Sequence, residues 1–458
     1  MTATRWIGAA LDYIPRWMEF QMRSTEQPGC SIAVVHRGKV LWEQAYGCAN
    51  VGRDTALSPR HRFRVASHSK TFTAAGILKL REAGRIRLDD PVSQYIPGLH
   101  RSIGEATIAQ LLSHSAGIIR DGSDSGQWSD RRPFLNRDEL LADLAGGVTL
   151  PANTRFKYSN HGFGLAGLVL ETITGEPYGI WIQREIVDAA GLTETRPDTP
   201  LPKGTPMASG HSSKVLLGHR RIIPGDNPTY ALAPATGFVS TASDLARFYA
   251  QLSPETKRSV LSAASRREMV RRQWTSLHSS VERHYGLGTI SGKIGDWEWF
   301  GHSGGFQGFI TRTVMVPKHD LTVSVLTNAA DGMAHSWLDG AVQVLRTFSE
   351  HGAPTTRSAS WAGRWWSLWG ALDLVPMGRK VLVGSPGMTS PLTDATEIEL
   401  TGKDTGRIAL DNGFGSHGES VHRVRTAKGR VSELWFSGSK MVPERKLAAE
   451  MEKRYRKR

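Results

Sequence analysis

FRVASHSKTFTAAGILKLREAG, residues 63–84, decides how this chain is read. FRVAS leads out of a sheet and SKTFTAAGILKLREAG is a long helix, so Ser67 falls where strand gives way to helix. Backbone donors and the dipole at such an N-terminus favour developing negative charge. Residues three apart share a helix face, which brings the Lys70 amine to the Ser67 hydroxyl. A lysine enclosed there, away from water, has its pKa lowered and can accept the serine proton. The plainer alternative makes Ser67 a helix cap and Lys70 a solvated side chain. The bare Ser-x-x-Lys spacing does not choose between them, because it occurs twice. The second copy, Ser437 and Lys440, follows the strand-like run ELWF and precedes Met441, Val442 and Pro443, so no helix aligns its side chains.

Outward from that junction, residues 3–24 place Ile7, Leu11, Ile14, Trp17, Met18 and Phe20 at helical spacing, and QPG ends the pattern. The apolar face of this helix needs a sheet to cover it. CSIAVVHRGKVLWEQAYG follows, two β-rich runs separated by Arg37 and Gly38, which predicts a hairpin. From Ser67 to about residue 250 the pattern is helix and loop: KTFTAAGILKLREAG, ATIAQLLSH, DELLADLA, GFGLAGLVLETITG and STASDLARFYAQL. Strand character returns in YGLGTI, DWEWFGHSGG, GFITRTVMVP and LTVSVLTN, and AVQVLRTFSE reads as a closing helix. First strands, helical insertion and last strands together predict one α+β domain over residues 1–350, with an antiparallel sheet flanked by helices and a helical subdomain over about 67–250. Past the polar stretch at 351–360, short alternating runs predict a small all-β unit over 351–458, a barrel ending in a basic tail.

Composition narrows the function. The formal charge is +14, but the basic residues are spread along the chain without aromatic interleaving or a nucleic-acid motif, so no nucleic-acid partner is expected. No run of 18 or more apolar residues occurs, so no membrane-spanning helix and no membrane partner are expected. The N-terminal stretch lacks the apolar core and cleavage site of a signal peptide, which predicts a cytoplasmic location. With only Cys30 and Cys48, each in a predicted strand, buried free thiols are expected rather than a disulfide framework. HExxH and paired-cysteine motifs are missing and the histidines do not group at ligand spacing, so neither metal nor cofactor is expected.

Two further motifs support the first. Tyr-x-Asn occurs once, at Tyr158, Ser159 and Asn160, where a loop gives way to GFGLAGLVLETITG. A phenol and an amide two apart can face one cleft, the first relaying a proton and the second binding a substrate carbonyl. His-Ser-Gly occurs once, at His302, Ser303 and Gly304, inside the strand pattern FGHSGGFQGF. Such a strand offers backbone donors and acceptors to a substrate, and its glycines allow close approach. Taken singly, each also reads as turn, cap, bulge or strand packing.

With these three motifs the chain resembles the penicillin-recognising serine hydrolases, in the branch holding class C β-lactamases, D-alanyl-D-alanine carboxypeptidases, D-aminopeptidases and related esterases. The likeness covers roughly residues 5–345 and includes softer features: the opening hairpin PGCSIAVVHRGKVLWEQAYGCAN, the segment LLSHSAGI and the helix STASDLARF. It implies a β-lactamase-like fold, with Ser113, His114 and Ser115 structural. It implies that Ser67 attacks a carbonyl and that Lys70 and Tyr158 share the base and acid roles. Asn160 would hold the acyl side of the substrate, with His302, Ser303 and Gly304 along the opposite wall. The oxyanion hole would be the backbone N–H groups of Ser67 and Gly305. The family's β-lactamases usually carry lysine where this chain has His302, and a mostly neutral histidine binds a carboxylate less strongly. That departure favours amide, peptide or ester bonds in a small-molecule substrate, with a β-lactamase or a non-turning-over penicillin sensor as the rival readings. D-aminopeptidase-like members also carry extra antiparallel, lipocalin-like barrels, which the C-terminal unit resembles. WAGRWWSLW would then be barrel core.

Overall fold

A computed structural model describes residues 5–277, 282–411 and 415–456. By its packing the chain divides into two compact units, one of Gln27–Leu338 and one of Met1–Glu26 with Asp339–Arg458. The boundary expected near residue 350 therefore falls earlier, inside the helix Ala334–His351.

The larger unit is built on a nine-stranded antiparallel sheet. Its strands in chain order are β1 (Gly29–His36), β2 (Lys39–Asn50), β3 (Thr55–Ala56), β4 (Trp274–Thr275), β5 (Arg283–Tyr285), β6 (Ile290–Ile294), β7 (Trp297–Phe306), β8 (Phe309–Val316) and β9 (Leu321–Thr327). They lie in the order β3-β2-β1-β9-β8-β7-β6-β5-β4. The predicted hairpin is β1–β2, and Arg37 and Gly38 form its turn with φ of +51° and +72°. The last strands return to pair β9 with β1, Cys30 opposite Thr327 and His36 opposite Leu321, so both ends of the unit share one sheet. β1 and β9 are buried throughout, including the small polar residues Ser31, Thr322, Ser324 and Thr327 between their apolar ones. Cys30 is buried as expected, but Cys48 is only half-buried.

Two local readings change. YGLGTI is not one strand: Gly286–Thr289 turn between β5 and β6, with Gly288 at φ +66°. A Cβ at Gly288 would lie 2.7 Å from the carbonyl oxygen of Lys70, so glycine lets this turn pass directly over the helix that follows Ser67. Likewise Phe63–Arg64, the lead-in to Ser67, pairs only with Val239–Ser240 in a separate two-stranded ladder.

The helix Ser69–Glu82, α1, is buried on every face from Ser69 to Leu78. From Ala74 to Leu78 it carries no polar side chain, which suits a helix enclosed by others. Phe72 stacks between Phe238 and Phe248 at centroid distances of 4.3 and 3.9 Å, fixing the rotation of α1 about its axis. The helix Asn160–Thr174, α2, is capped by Ser159, whose Oγ accepts from Gly162 N, and closes on Gly175 in the left-handed conformation.

In the smaller unit, eight strands from Gly363–Ser367 to Ser439–Met441 form a sheet in strict chain order. Reciprocal backbone hydrogen bonds between Trp366 and Val442, at 2.8 and 3.0 Å, nearly close it into a barrel. Trp361, Trp365, Val381, Ile398, Ile408, Val421 and Leu434 fill its interior. The N-terminal helix Arg5–Thr25 packs with this unit: Trp17 Nε1 donates to Met388 O at 3.1 Å and Gln21 Nε2 to Pro386 O at 2.7 Å. The basic tail begins as the helix Glu444–Arg454, which has no buried residue.

Candidate active site

Ser67 sits in a single 3-10 turn, Ala66–His68, immediately before α1. Ala66 takes φ +49°, a left-handed conformation that stores strain in a residue with a side chain. The turn is pinned on both sides, Val65 N donating to Phe238 O at 3.0 Å and Ser69 Oγ donating to Ala66 O at 2.5 Å. No side chain caps α1, so the Ser67 hydroxyl is not spent on the helix. It is half-buried and its Oγ accepts from two partners, Lys70 Nζ at 3.1 Å and the Tyr158 hydroxyl at 2.7 Å.

Lys70 is fully buried because its helix is. Its ammonium donates to Asn160 Oδ1 at 2.7 Å and Ala235 O at 2.9 Å. Burial holds its pKa well below the usual lysine value; Asp121 opposes that shift and Arg120 adds to it. Burial drives Tyr158 the other way, so its phenol stays protonated at neutral pH. The two groups bonded to Ser67 are thus pushed toward an unprotonated amine and a protonated phenol.

Asn160 spans the site. With Oδ1 turned to Lys70, its Nδ2 donates to Asp121 Oδ1 at 2.6 Å. Trp128 Nε1 also donates to Asp121 Oδ1, at 2.9 Å, and Arg120 Nε pairs with Oδ2 at 3.0 Å. Arg120 is exposed and its guanidinium lies 5.2 Å from the Tyr158 ring centroid.

The opposite wall is β7. Gly304 presses against the turn before α1 so closely that a Cβ there would come within 2.1 Å of Val65 O. Gly305 is exposed, and its Cβ would meet nothing nearer than Ile310 Cδ1 at 3.7 Å. His302 is buried and its pKa falls to about 3 through burial and the proximity of Lys70. Its hydrogen bonds form part of a chain that begins at the backbone of Ser159. Ser159 N–H donates to His114 Nδ1 at 3.1 Å, so neutral His114 carries its proton on Nε2. That nitrogen lies 3.1 Å from Tyr285 OH, Tyr285 OH lies 3.1 Å from His302 Nε2, and His302 Nδ1 accepts from Ser303 N at 3.0 Å and lies 2.7 Å from Ser303 O. Three side chains, His114, Tyr285 and His302, tie the backbone beside Tyr158 to the His302 motif.

Ser67, Tyr158, Asn160, His302, Ser303, Gly304 and Gly305 all line one cavity of about 720 Å³, with Lys70 beneath it. The chain's second Ser-x-x-Lys pair does not come together: Ser437 lies in a turn at φ +50° and bonds Ser416 and Glu419, while Lys440 pairs with Glu433 at 2.7 Å. Asp121, Trp128, Tyr285 and the Ala235 carbonyl were not legible in the sequence. They belong to no spacing pattern, and a backbone acceptor leaves no residue signature at all.

The chain matches the family described as Beta-lactamase over residues 14–344. Protein flp of Staphylococcus aureus (strain N315) is 26% identical over 334 residues, 71% of this chain and 64% of that protein, so the chain spans less than two thirds of that relative. A D-stereospecific amidohydrolase from Streptomyces sp. is 26% identical with a TM-score of 0.58, covering 69% of this chain and 94% of its own. The octameric penicillin-binding protein homologue from Pyrococcus abyssi, 22% identical with a TM-score of 0.65, covers 94% of this chain and 100% of its own. The expected fold class, a β-lactamase-like α+β unit with a barrel-like all-β unit after it, is the one found. With that match extending over most of its length, the chain belongs to the β-lactamase family.

Proposed function

We propose that this protein is a serine hydrolase that cleaves an amide, peptide or ester bond in a small-molecule substrate through an acyl-enzyme on Ser67. The observation that carries the proposal is Lys70, fully buried, lowered in pKa and 3.1 Å from Ser67 Oγ. Ser67 Oγ attacks the carbonyl carbon as its proton passes to Lys70 Nζ. The oxyanion is met by the N–H groups of Ser67 and Gly305, and losing one such donor typically costs about 2.7–4 kcal/mol of transition-state stabilisation. Tyr158, a phenol at neutral pH, gives a proton to the departing amine or alcohol, the Lys70 proton replaces it, and water then attacks the ester to release the acid and restore Ser67.

Neutral His302 supports amide, peptide or ester substrates over β-lactams, since it offers a substrate carboxylate no cation. The likeness to a D-stereospecific amidohydrolase points the same way. A β-lactamase is the second reading, favoured by exposed Arg120 on the cavity wall as a substitute cation.

Turnover of p-nitrophenyl esters and D-amino-acid p-nitroanilides, compared with nitrocefin, tests the choice. Fast nitrocefin hydrolysis with no activity on the others would reverse it, and a stable Ser67 adduct without product release would mark a sensor. Ser67→Ala must take no fluorophosphonate label; persistent labelling would remove Ser67 as nucleophile.

A further inference from the structure

The hairpin that rises between Gly210–His211 and Ile222–Ile223 carries apolar side chains that are left exposed among the described residues. Its root is rigid. His211 is buried with Nδ1 2.8 Å from Asn328 O, Ser212 N donates to Arg221 O at 2.8 Å, and Arg220 pairs with Asp331 at 2.6 Å. Its tip is a short helix, Lys214–Leu217, started by Ser213 Oγ accepting from Val215 N and stopped by Gly218 at φ +72°. On that tip Val215 is 91% exposed, Leu216 80% and Leu217 50%. Scattered exposed aliphatics are ordinary, but three in succession on an anchored tip form a patch of the kind that marks an interaction surface.

The chemistry around the patch selects the partner. From Ser212 to Gly225 the hairpin holds no carboxylate, while Lys214, His219 and Arg221 are exposed beside the aliphatics. Asp331 answers Arg220, and Asp226 follows the hairpin at its base. Apolar side chains at a tip with basic groups behind them match a lipid surface bearing anionic headgroups: the aliphatics enter the acyl boundary and the cations meet the phosphates. A second copy fits poorly, because a two-fold contact through this tip would set Lys214 and Arg221 against their own counterparts. The formal charge of +14 favours the same anionic partner.

We propose that the 212–221 hairpin docks this protein peripherally on an anionic lipid surface. This departs from the sequence expectation of no membrane partner without requiring a spanning helix. Ile222, Ile223 and Pro224, where the hairpin descends, line a cavity of about 560 Å³ that also includes Gly305. The base of the docking hairpin therefore adjoins a cavity that reaches the strand opposite Ser67.

Sedimentation of the full-length protein with phosphatidylcholine vesicles, with and without phosphatidylglycerol, tests the proposal. Expected is co-sedimentation with the anionic vesicles that weakens as salt rises. Changing Val215, Leu216 and Leu217 to Ser together should weaken it at least about tenfold, and Lys214→Glu with Arg221→Glu should abolish the preference for phosphatidylglycerol. An unchanged melting temperature and unchanged lipid-free labelling of Ser67 would show that these variants stay folded. Ser67→Ala protein should bind vesicles as the parent does, which separates this surface from the hydrolase reading. The proposal is overturned if the parent binds neither vesicle, if the triple variant sediments like the parent, or if the parent self-associates without vesicles and the triple variant does not.

Discussion

In the proposed mechanism Lys70 is the residue on which the chemistry turns, and its environment makes its titration adjustable from two sides. Burial lowers its pKa most, Asp121 raises it and Arg120 lowers it. Proton acceptance needs the neutral amine, so activity falls as pH drops through the Lys70 pKa. Asp121→Asn removes the opposing charge and should move the acid limb of kcat/KM to lower pH, whereas Arg120→Ala should move it to higher pH. Each shift should be up to about one unit, the size expected for one neighbouring charge in a partly hydrated site. Opposite displacements in pH–rate profiles identify Lys70 as the titrating group. A limb that stays put in both variants assigns it to another group. Lys70→Arg, charged at every working pH, should lose about 10² to 10⁴ in kcat/KM.

At the scale of elements, the site depends on how closely β7 and the turn before α1 approach. Gly304→Ala would place a methyl 2.1 Å from Val65 O, a backbone atom held by the Phe238 pairing, so strand or turn must shift. A destabilisation of about 1–3 kcal/mol, as in other overpacked sites, with loss of most activity is expected. Gly305→Ala, whose methyl meets only a side-chain carbon at 3.7 Å, should melt like the parent. Thermal melts of the pair separate a steric demand from a general intolerance of β7. The contrast also shows what was legible. The sequence placed Ser67 before a helix, Tyr158 and Asn160 at a loop-to-helix junction and His302 on a strand, because capping, periodicity and glycine placement are local. It did not show that Phe63–Arg64 leaves the main sheet, or that YGLGTI breaks into a turn over Lys70. Both follow from contacts between segments roughly two hundred residues apart, to which local propensity is blind. Asp121 and Tyr285 were missed for the same reason, since they acquire partners only when the 114–128 loop, α2 and β5 converge.

For the molecule as a whole, burying basic groups around one cavity has a consequence for acid stability. His302 has its pKa lowered to about 3 and His335 to about 4, and His114 and His68 are also held well below the ordinary histidine value, in every case chiefly by burial. Unfolded, all four would titrate near 6.5. Below that pH the unfolded chain binds protons that the folded one refuses, so stability is fully present above about 6.5 and declines as pH falls toward 4. The slope is up to about 1.4 kcal/mol per pH unit for each histidine, and several act together. The formal charge of +14 grows more positive over the same interval and adds self-repulsion. Urea midpoints measured from pH 8 to pH 4 should therefore stay level to about 6.5 and then fall steeply. Rapid return to pH 8 should restore activity lost through Lys70 at once, because no unfolding is involved. A midpoint that stayed level to pH 4 would mean that the four histidines are solvated in the folded protein, and neutral His302 could then no longer explain a preference against carboxylate-bearing substrates.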